Sequence, residues 1–394
     1  NQRSPQAVSR AFVEAAAECQ FPVNLDFNGQ SQEGAGLYQV TQFSGEGRNG
    51  ERCSAAAAYL HPVMNRPNLT VMTKAVATEI LFSGHKAIGV SYRQGGKTCI
   101  VKAQREVLVC GGAFGSPQLL MLSGIGPEAE LRKHGIAVRQ HLPGVGQNLQ
   151  DHLDFIHVWK SKLPSGLALS LPGTIDLIRE LLRWRKDGTG LGASPGAEGG
   201  AFLKTDPALD QPDTQLHFVA GMVDDHLRKL HFGSGFSCHV CVLRPKSRGT
   251  VKLASADPFA APLIDPNYLD DPYDLQVMIK GVKMVDRILK SPALARWRKS
   301  ELYTAEAKSD ADWEQHIRAR ADTIYHPVGT AKMGTDKMTV VDPHLRVHGF
   351  EGLRVVDASV MPTLIGGNTN APVMMIAERA ADWINSKSGI SVAN

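Results

Sequence analysis

The chain has 394 residues, 43% of them apolar and 21% charged, and carries a formal net charge of +4 at pH 7. A chain of that length buries a large core and is expected to divide into two domains. Charges of both signs are interspersed without a Lys/Arg block, which argues against nucleic-acid binding, and no apolar run reaches the ~18 residues of a membrane span.

In chain order, residues 7–19 have helical periodicity and residues 24–50 are loop-rich in Gly and Gln. The β-branched runs 68–76, 79–82, 87–92 and 97–101 read as strands of a meander. Val107-Leu108-Val109-Cys110 reads as a further strand, with Gly111-Gly112 as its tight exit. Ser116 is expected to cap a helix that starts at Pro117 and stops at Ser123-Gly124. A Gly-Gly pair between strand and helix is a nucleotide-binding signal of low specificity by itself.

Beyond His152 the character shifts. Residues 174–186 have an amphipathic helical pattern stopped by Asp187-Gly188, and 189–200 is a Gly/Ala/Ser/Pro stretch suited to a lid or a linker. Residues 215–220, 236–243 and 249–253 read as strands, with 244–249 as a turn, and a helix is expected from 271–272 to about 289. Six cysteines spread over this length favour a reducing compartment over a disulfide framework. Cys238 and Cys241 are the one close pair; no second pair stands at zinc spacing, alternation around them says strand, and no metal site is read. Walker A and G-x-S-x-G motifs are absent, so phosphate hydrolysis and nucleophile-elbow hydrolysis lose their usual markers.

The C-terminal part speaks most directly about chemistry. Leu353-Arg354-Val355-Val356 reads as a buried strand ending at Asp357, and Gly366 and Gly367 permit a close backbone approach. Asn370 is placed as an N-cap with Pro372 in the first turn of a helix reaching about Ile384. The free N–H groups of such a helix start suit an anion, such as a pyrophosphate or a charged reduced flavin. His326, in Tyr325-His326-Pro327-Val328-Gly329-Thr330, adds an imidazole, the usual group for taking a hydroxyl proton near neutral pH.

These segments resemble the signatures of the glucose-methanol-choline (GMC) flavin oxidoreductases. One signature is matched by His326-Pro327-Val328-Gly329-Thr330-Ala331-Lys332-Met333-Gly334, by Val355-Val356-Asp357-Ala358-Ser359-Val360-Met361-Pro362 and by Asn368-Thr369-Asn370-Ala371-Pro372. A second is matched by 111–127, from Gly111-Gly112-Ala113 to Gly126-Pro127, followed by 142–152 with Gln150-Asp151-His152. The similarity runs from about Ser4 to about Ile384, in the manner of bacterial alcohol and choline dehydrogenases.

The resemblance implies an α/β fold, α+β overall, with a Rossmann-like FAD-binding domain and a substrate domain built on an antiparallel sheet with helices. Residues 1–66 would be a connecting and substrate-side segment, 67–151 and 323–386 the FAD-binding domain, 152–322 the substrate domain and 387–394 a tail. It also implies FAD as cofactor and oxidation of a primary alcohol to an aldehyde. His326 would take the hydroxyl proton as hydride leaves for the flavin, and Asn370 would hold the alcohol oxygen. Val76 would recognise adenine through its backbone, Gly111 and Gly112 would lie near adenosine, and Asp357 and Ala358 beside the phosphates and ribityl chain. Asn370 and Ala371 would form the helix start facing the isoalloxazine. Electrons would pass to a quinone or another acceptor, in a cytoplasmic enzyme with at most peripheral contact to the inner membrane.

Choline is the rival substrate; its quaternary ammonium would need a cage, for which Trp159, Trp184, Tyr268 and Tyr273 are available. A hydroxynitrile lyase-like activity without net redox change would use the same histidine. One departure from the family stands out: no G-x-G-x-x-G occurs, since Gly144-Val145-Gly146-Gln147-Asn148-Leu149 lacks the third glycine. The FAD-binding domain is therefore expected to be incomplete and the chain to be the C-terminal part of a longer enzyme. As an isolated fragment it is expected to bind FAD weakly and to be inactive.

Overall fold

Strands buried on both faces build the first of two units. The structure, a computed structural model, describes residues 2–45, 47–164 and 166–387; beyond Lys387, the tail read over 387–394 lies outside the described residues. Unit one combines Asn1–Arg66, Leu153–Arg244 and Pro272–Ile324, and unit two combines Pro67–His152, Pro245–Asp271 and Tyr325–Asn394. The fold is mixed helix and sheet.

Unit one holds a seven-stranded sheet in the order Gly34–Leu37, Ala197–Leu203, Thr214–Val219, Gly235–Val242, Leu153–Ser161, Arg298–Glu301, with Asp322–Thr323 also paired to Leu153–Ser161. All its pairings are antiparallel. Part of the 189–200 stretch, read as lid or linker, is a strand of this sheet, and its glycines have a packing reason. A Cβ on Gly200 would stand 2.3 Å from the Tyr38 ring, and one on Gly199 would stand 3.2 Å from Phe12. The Pro272–Leu289 helix buries Val277, Met278, Val282, Val285, Ile288 and Leu289, a 3.6-period stripe laid on the sheet. Gly281 lets it come close, since a Cβ there would sit 2.9 Å from Val240.

Unit two contains the meander Ala75–Ser83, Lys86–Gln94 and Lys97–Lys102, while residues 68–74 form no strand. Val107–Val109 pairs in parallel with Leu353–Val355. Arg354, 1% exposed, crosses this pair: Nε and Nη2 donate to Glu106 at 2.6 and 3.2 Å, and Nη1 donates to the His344 carbonyl at 2.6 Å. A bidentate pair with a third bond satisfies a guanidinium that burial would otherwise penalise heavily. Segment 245–271, read from the sequence as substrate domain, belongs to this unit. Leu149 and Gly249 exchange backbone bonds of 3.0 and 2.8 Å, and Val251 N–H donates to Gly146 at 2.7 Å.

The helix expected from Pro117 starts at Gly112 and runs to Leu122, with Pro117 inside it. The physical reason is local. Proline cannot donate to the carbonyl four residues back, and that carbonyl, on Ala113, instead accepts the Thr330 hydroxyl at 2.6 Å. Ser116 is released from capping; its Oγ accepts from Gly111 N–H at 2.9 Å and donates to Asp357 at 2.5 Å.

Candidate active site

All the polar groups that meet around His326 lie in unit two. Two backbone segments place them. Gln150 and Val328 exchange backbone bonds of 3.1 and 2.9 Å, so the Asn148–His152 stretch runs beside the His326 loop. Gly329, at φ 94°, makes the contact possible, because a Cβ there would lie 2.5 Å from the Asn148 carbonyl. The His326 N–H donates to Asp151 Oδ1 at 2.8 Å, and Asp151 Oδ2 accepts the Tyr268 hydroxyl at 2.6 Å.

The imidazole itself is 8% exposed and bonded at both nitrogens. Its Nδ1 is 2.9 Å from Nδ1 of the fully buried His152, and its Nε2 is 3.2 Å from the Asn368 amide nitrogen. An amide nitrogen only donates, so Nε2 accepts and the proton of the neutral ring sits on Nδ1, directed at His152. This is the tautomer whose Nε2 lone pair faces Asn368, the form a proton acceptor requires.

Burial pushes the His326 pKa down from 6.5 to about 4, so the ring is neutral at pH 7. An unfolded chain takes up the proton near 6.5 and the folded one only near 4, so the folded state loses relative stability as pH falls through that window and keeps it in full above it. At ~1.4 kcal/mol per pK unit, the loss between pH 7 and 4.5 is expected to be about 2 to 3 kcal/mol. Chemical denaturation of wild type and His326→Asn at both pH values checks this: the variant should lack that part of the slope.

Asp357 is the second centre. Its buried carboxylate accepts Gly112 N–H at 2.9 Å and Ser116 Oγ at 2.5 Å on one oxygen, and Ser359 N–H at 2.8 Å and Ser359 Oγ at 2.5 Å on the other. It thereby ties the Gly111-Gly112 turn to the end of the Leu353–Val355 strand. The Ala358 carbonyl accepts from Gly329 N–H at 3.3 Å and the Ser359 carbonyl from Ala331 N–H at 2.8 Å, linking this centre to the His326 loop.

Asn370, expected to hold the alcohol oxygen, is not the amide that touches His326 in this structure. It is exposed, opens the Asn370–Lys387 helix and makes no side-chain hydrogen bond among the described residues. The amide on His326 comes from Asn368, two residues earlier. Thr369 takes the capping place, its carbonyl accepting Val373 N–H at 3.1 Å. Ala371 lies in the first turn of that helix. Val76 stands elsewhere in the unit, on the Ala75–Ser83 strand, which pairs on one side only in the meander. Sequence reasoning missed His152, Asp151 and Asn368, although Gln150-Asp151-His152 closes the upstream signature and Asn368 opens the last one.

The residues fit a flavin cofactor at several points. The Asn370–Lys387 helix starts beside the amide that touches His326, and such a start presents unbonded N–H groups. Gly112, at φ 75°, has nothing within 4 Å of where a Cβ would be, which leaves its turn open to a close ligand. Of the aromatics considered for an ammonium cage, Tyr268 is engaged by Asp151, to which its hydroxyl donates at 2.6 Å.

Two family models described as GMC oxidoreductase match, one over residues 1–154 and one over 245–377. The alcohol dehydrogenase [acceptor] of Pseudomonas putida is 48% identical over 387 residues, covering 96% of this chain and 68% of that protein. The oxygen-dependent choline dehydrogenase of Paraburkholderia xenovorans is 42% identical, covering 97% of this chain and 67% of that one. Among solved structures, pyridoxine 4-oxidase from Mesorbium loti superimposes with a TM-score of 0.84 at 28% identity, covering 98% of this chain and 70% of that one. A formate oxidase gives 0.86 at 27% identity, covering 96% and 70%.

Proposed function

Because this chain belongs to the GMC oxidoreductase family, we propose that it carries out FAD-dependent oxidation of a primary alcohol to an aldehyde, with His326 as the proton acceptor. The observation that carries the reading is the neutral, buried His326 ring, its Nδ1 held by His152 and its Nε2 turned to Asn368. A bound flavin would supply the hydride acceptor. The chain's own residues would do the rest. Asn368 Nδ2 lies on His326 Nε2 at 3.2 Å, so a substrate hydroxyl would displace the amide from Nε2, donate its proton there and accept from the amide beside it. As the proton arrives at Nε2, His152 receives the Nδ1–H bond of the imidazolium and shares its charge.

Val76, Gly111, Gly112, Asp357, Ala358, Asn370 and Ala371 would line the cofactor, Asp357 by shaping the turn more than by touching it, since both its oxygens are engaged within the chain. A quinone or another acceptor would take the electrons. All six cysteines are free thiols, which suits a cytoplasmic setting.

Anaerobic mixing of the flavin-loaded protein with medium-chain, aromatic and choline substrates tests the reading. Flavin bleaching by an alcohol supports it; release of aldehyde from a cyanohydrin without bleaching would make the activity lyase-like. The two asparagines should separate: Asn368→Ala is expected to lower kcat/KM by about ten- to a hundredfold, the loss of one oriented hydrogen bond of ~1.5 to 3 kcal/mol. Asn370→Ala tests the other asparagine, expected to hold the alcohol oxygen: a comparable loss assigns that contact to Asn370, and turnover within about twofold leaves it to Asn368.

A further inference from the structure

The helix Leu171–Asp187 of unit one is turned the wrong way round for a helix on a water-facing surface. Its ends are locally specified: Ser170 Oγ accepts Gly173 N–H at 3.1 Å, and Gly188, at φ 71°, closes it with a bond of 2.8 Å to the Trp184 carbonyl. Its inward side is set by Trp184, whose Nε1 donates to the Gly50 carbonyl at 3.3 Å, and by Glu180, which accepts Leu191 N–H at 3.1 Å. Leu171, Ile175, Ile178 and Leu182, spaced as one face of a helix, point the other way, at 79, 47, 55 and 63% exposure. No residue of the helix is buried.

The apolar surface continues beyond the helix. Leu169, 45% exposed, bridges to Phe232, 85% exposed, and Gly233 N–H donates to the Leu169 carbonyl at 2.9 Å. Scattered exposed leucines are ordinary, but a continuous stripe running into an exposed phenylalanine marks a contact surface. The charges indicate which kind. At 100° per residue, Arg179 and Lys186 border the stripe on one side and Arg185 on the other, while Asp176, Glu180 and Asp187 fall on the far side of the helix. An apolar stripe with cationic borders and acids kept away is the arrangement of a helix lying in a lipid interface, where long basic side chains reach out to anionic headgroups. Among the described residues no helix is long and apolar enough to cross a membrane, so the contact would be in-plane.

We propose that the Leu171–Asp187 helix, with Leu169 and Phe232, docks this protein on the surface of an anionic phospholipid bilayer. The inference stands apart from the catalytic reading, because vesicle binding needs no turnover. The full chain is sedimented with vesicles of phosphatidylcholine containing phosphatidylglycerol and with vesicles of phosphatidylcholine alone. The wild type is expected to partition to the mixed vesicles and more weakly to the neutral ones, with added salt reducing the difference. Ile178→Glu with Leu182→Glu should lower partitioning at least about tenfold at an unchanged melting temperature, as both side chains face solvent. Arg185→Glu with Lys186→Glu should remove the preference for the anionic lipid. Wild type left in the supernatant, or a stripe variant that binds as well as wild type, overturns the proposal. So does concentration-dependent self-association that the stripe variant abolishes, since the face then belongs to a second copy.

Discussion

His326→Ala is expected to lower kcat/KM for alcohol oxidation by about 10² to 10⁴ while leaving the amount of bound flavin unchanged. General acid–base assistance by a positioned side chain contributes about that factor. The ring's contacts explain why binding should survive. His326 bonds through its side chain to His152 and Asn368 alone among the described contacts, whereas its backbone N–H, which alanine retains, makes the structural bond of 2.8 Å to Asp151. The void left by the ring would destabilise the loop, so the comparison needs His326→Gln as well, which fills more of the space and still cannot accept the proton at neutral pH. Both variants should show normal flavin absorbance, and in both the rate of anaerobic bleaching should fall with kcat. A bleaching rate equal to wild type in either would remove His326 from the chemistry.

The histidine could be found from its loop, but its partners could not. Strand, acid and helix at the C-terminus announce themselves through local pattern: Leu353–Val355 is buried and leads into the β-branched pair Val355-Val356, Asp357 follows it, and the helix after Thr369 carries a 3.6-period stripe. Which of two asparagines faces the imidazole is a matter of how the Gly366-Gly367 turn delivers the chain, and no propensity distinguishes Asn368 from Asn370. His152 is another case. It lies 174 residues from His326, and only the pairing of Gln150 with Val328 brings the two rings together. The same limit explains the misplaced helix start: Pro117 reads as a first-turn residue until Thr330, over two hundred residues away, is seen to satisfy the carbonyl that proline leaves free.

Elsewhere the pattern was present and its meaning was set by burial on two sides. Leu153–Ser161 has no clean alternation because both faces of the strand are covered, so the sequence pattern does not mark it as a strand although it is paired on both sides. Gly34–Leu37 and Ala197–Leu203 pair with each other through glycines that sequence reading treats as loop formers. There the absence of a side chain serves close packing against Phe12 and Tyr38.

Asp357→Asn is the second large effect, and its size rests on an argument about directions. The carboxylate accepts two donors on each oxygen, and on each side one of the two is a backbone N–H that cannot turn away: Gly112 on one, Ser359 on the other. An asparagine presents its NH₂ to one side or the other, so one backbone donor must face another donor whichever rotamer is chosen. A buried unsatisfied donor costs about 1 to 3 kcal/mol, and losing the charge weakens the remaining bonds, so a destabilisation of about 3 kcal/mol is expected. Asp357→Ala, which removes all four bonds and opens a cavity, should lose about 4 to 5 kcal/mol. Ser116→Ala gives the scale, removing two hydroxyl bonds, one accepted from Gly111 N–H and one donated to Asp357, for about 1 to 3 kcal/mol. Urea denaturation reports these values. Flavin retention should fall in the same order, because the Gly111-Gly112 turn is held in place by this carboxylate. An Asp357→Asn protein as stable as wild type would mean that the turn holds its shape without it.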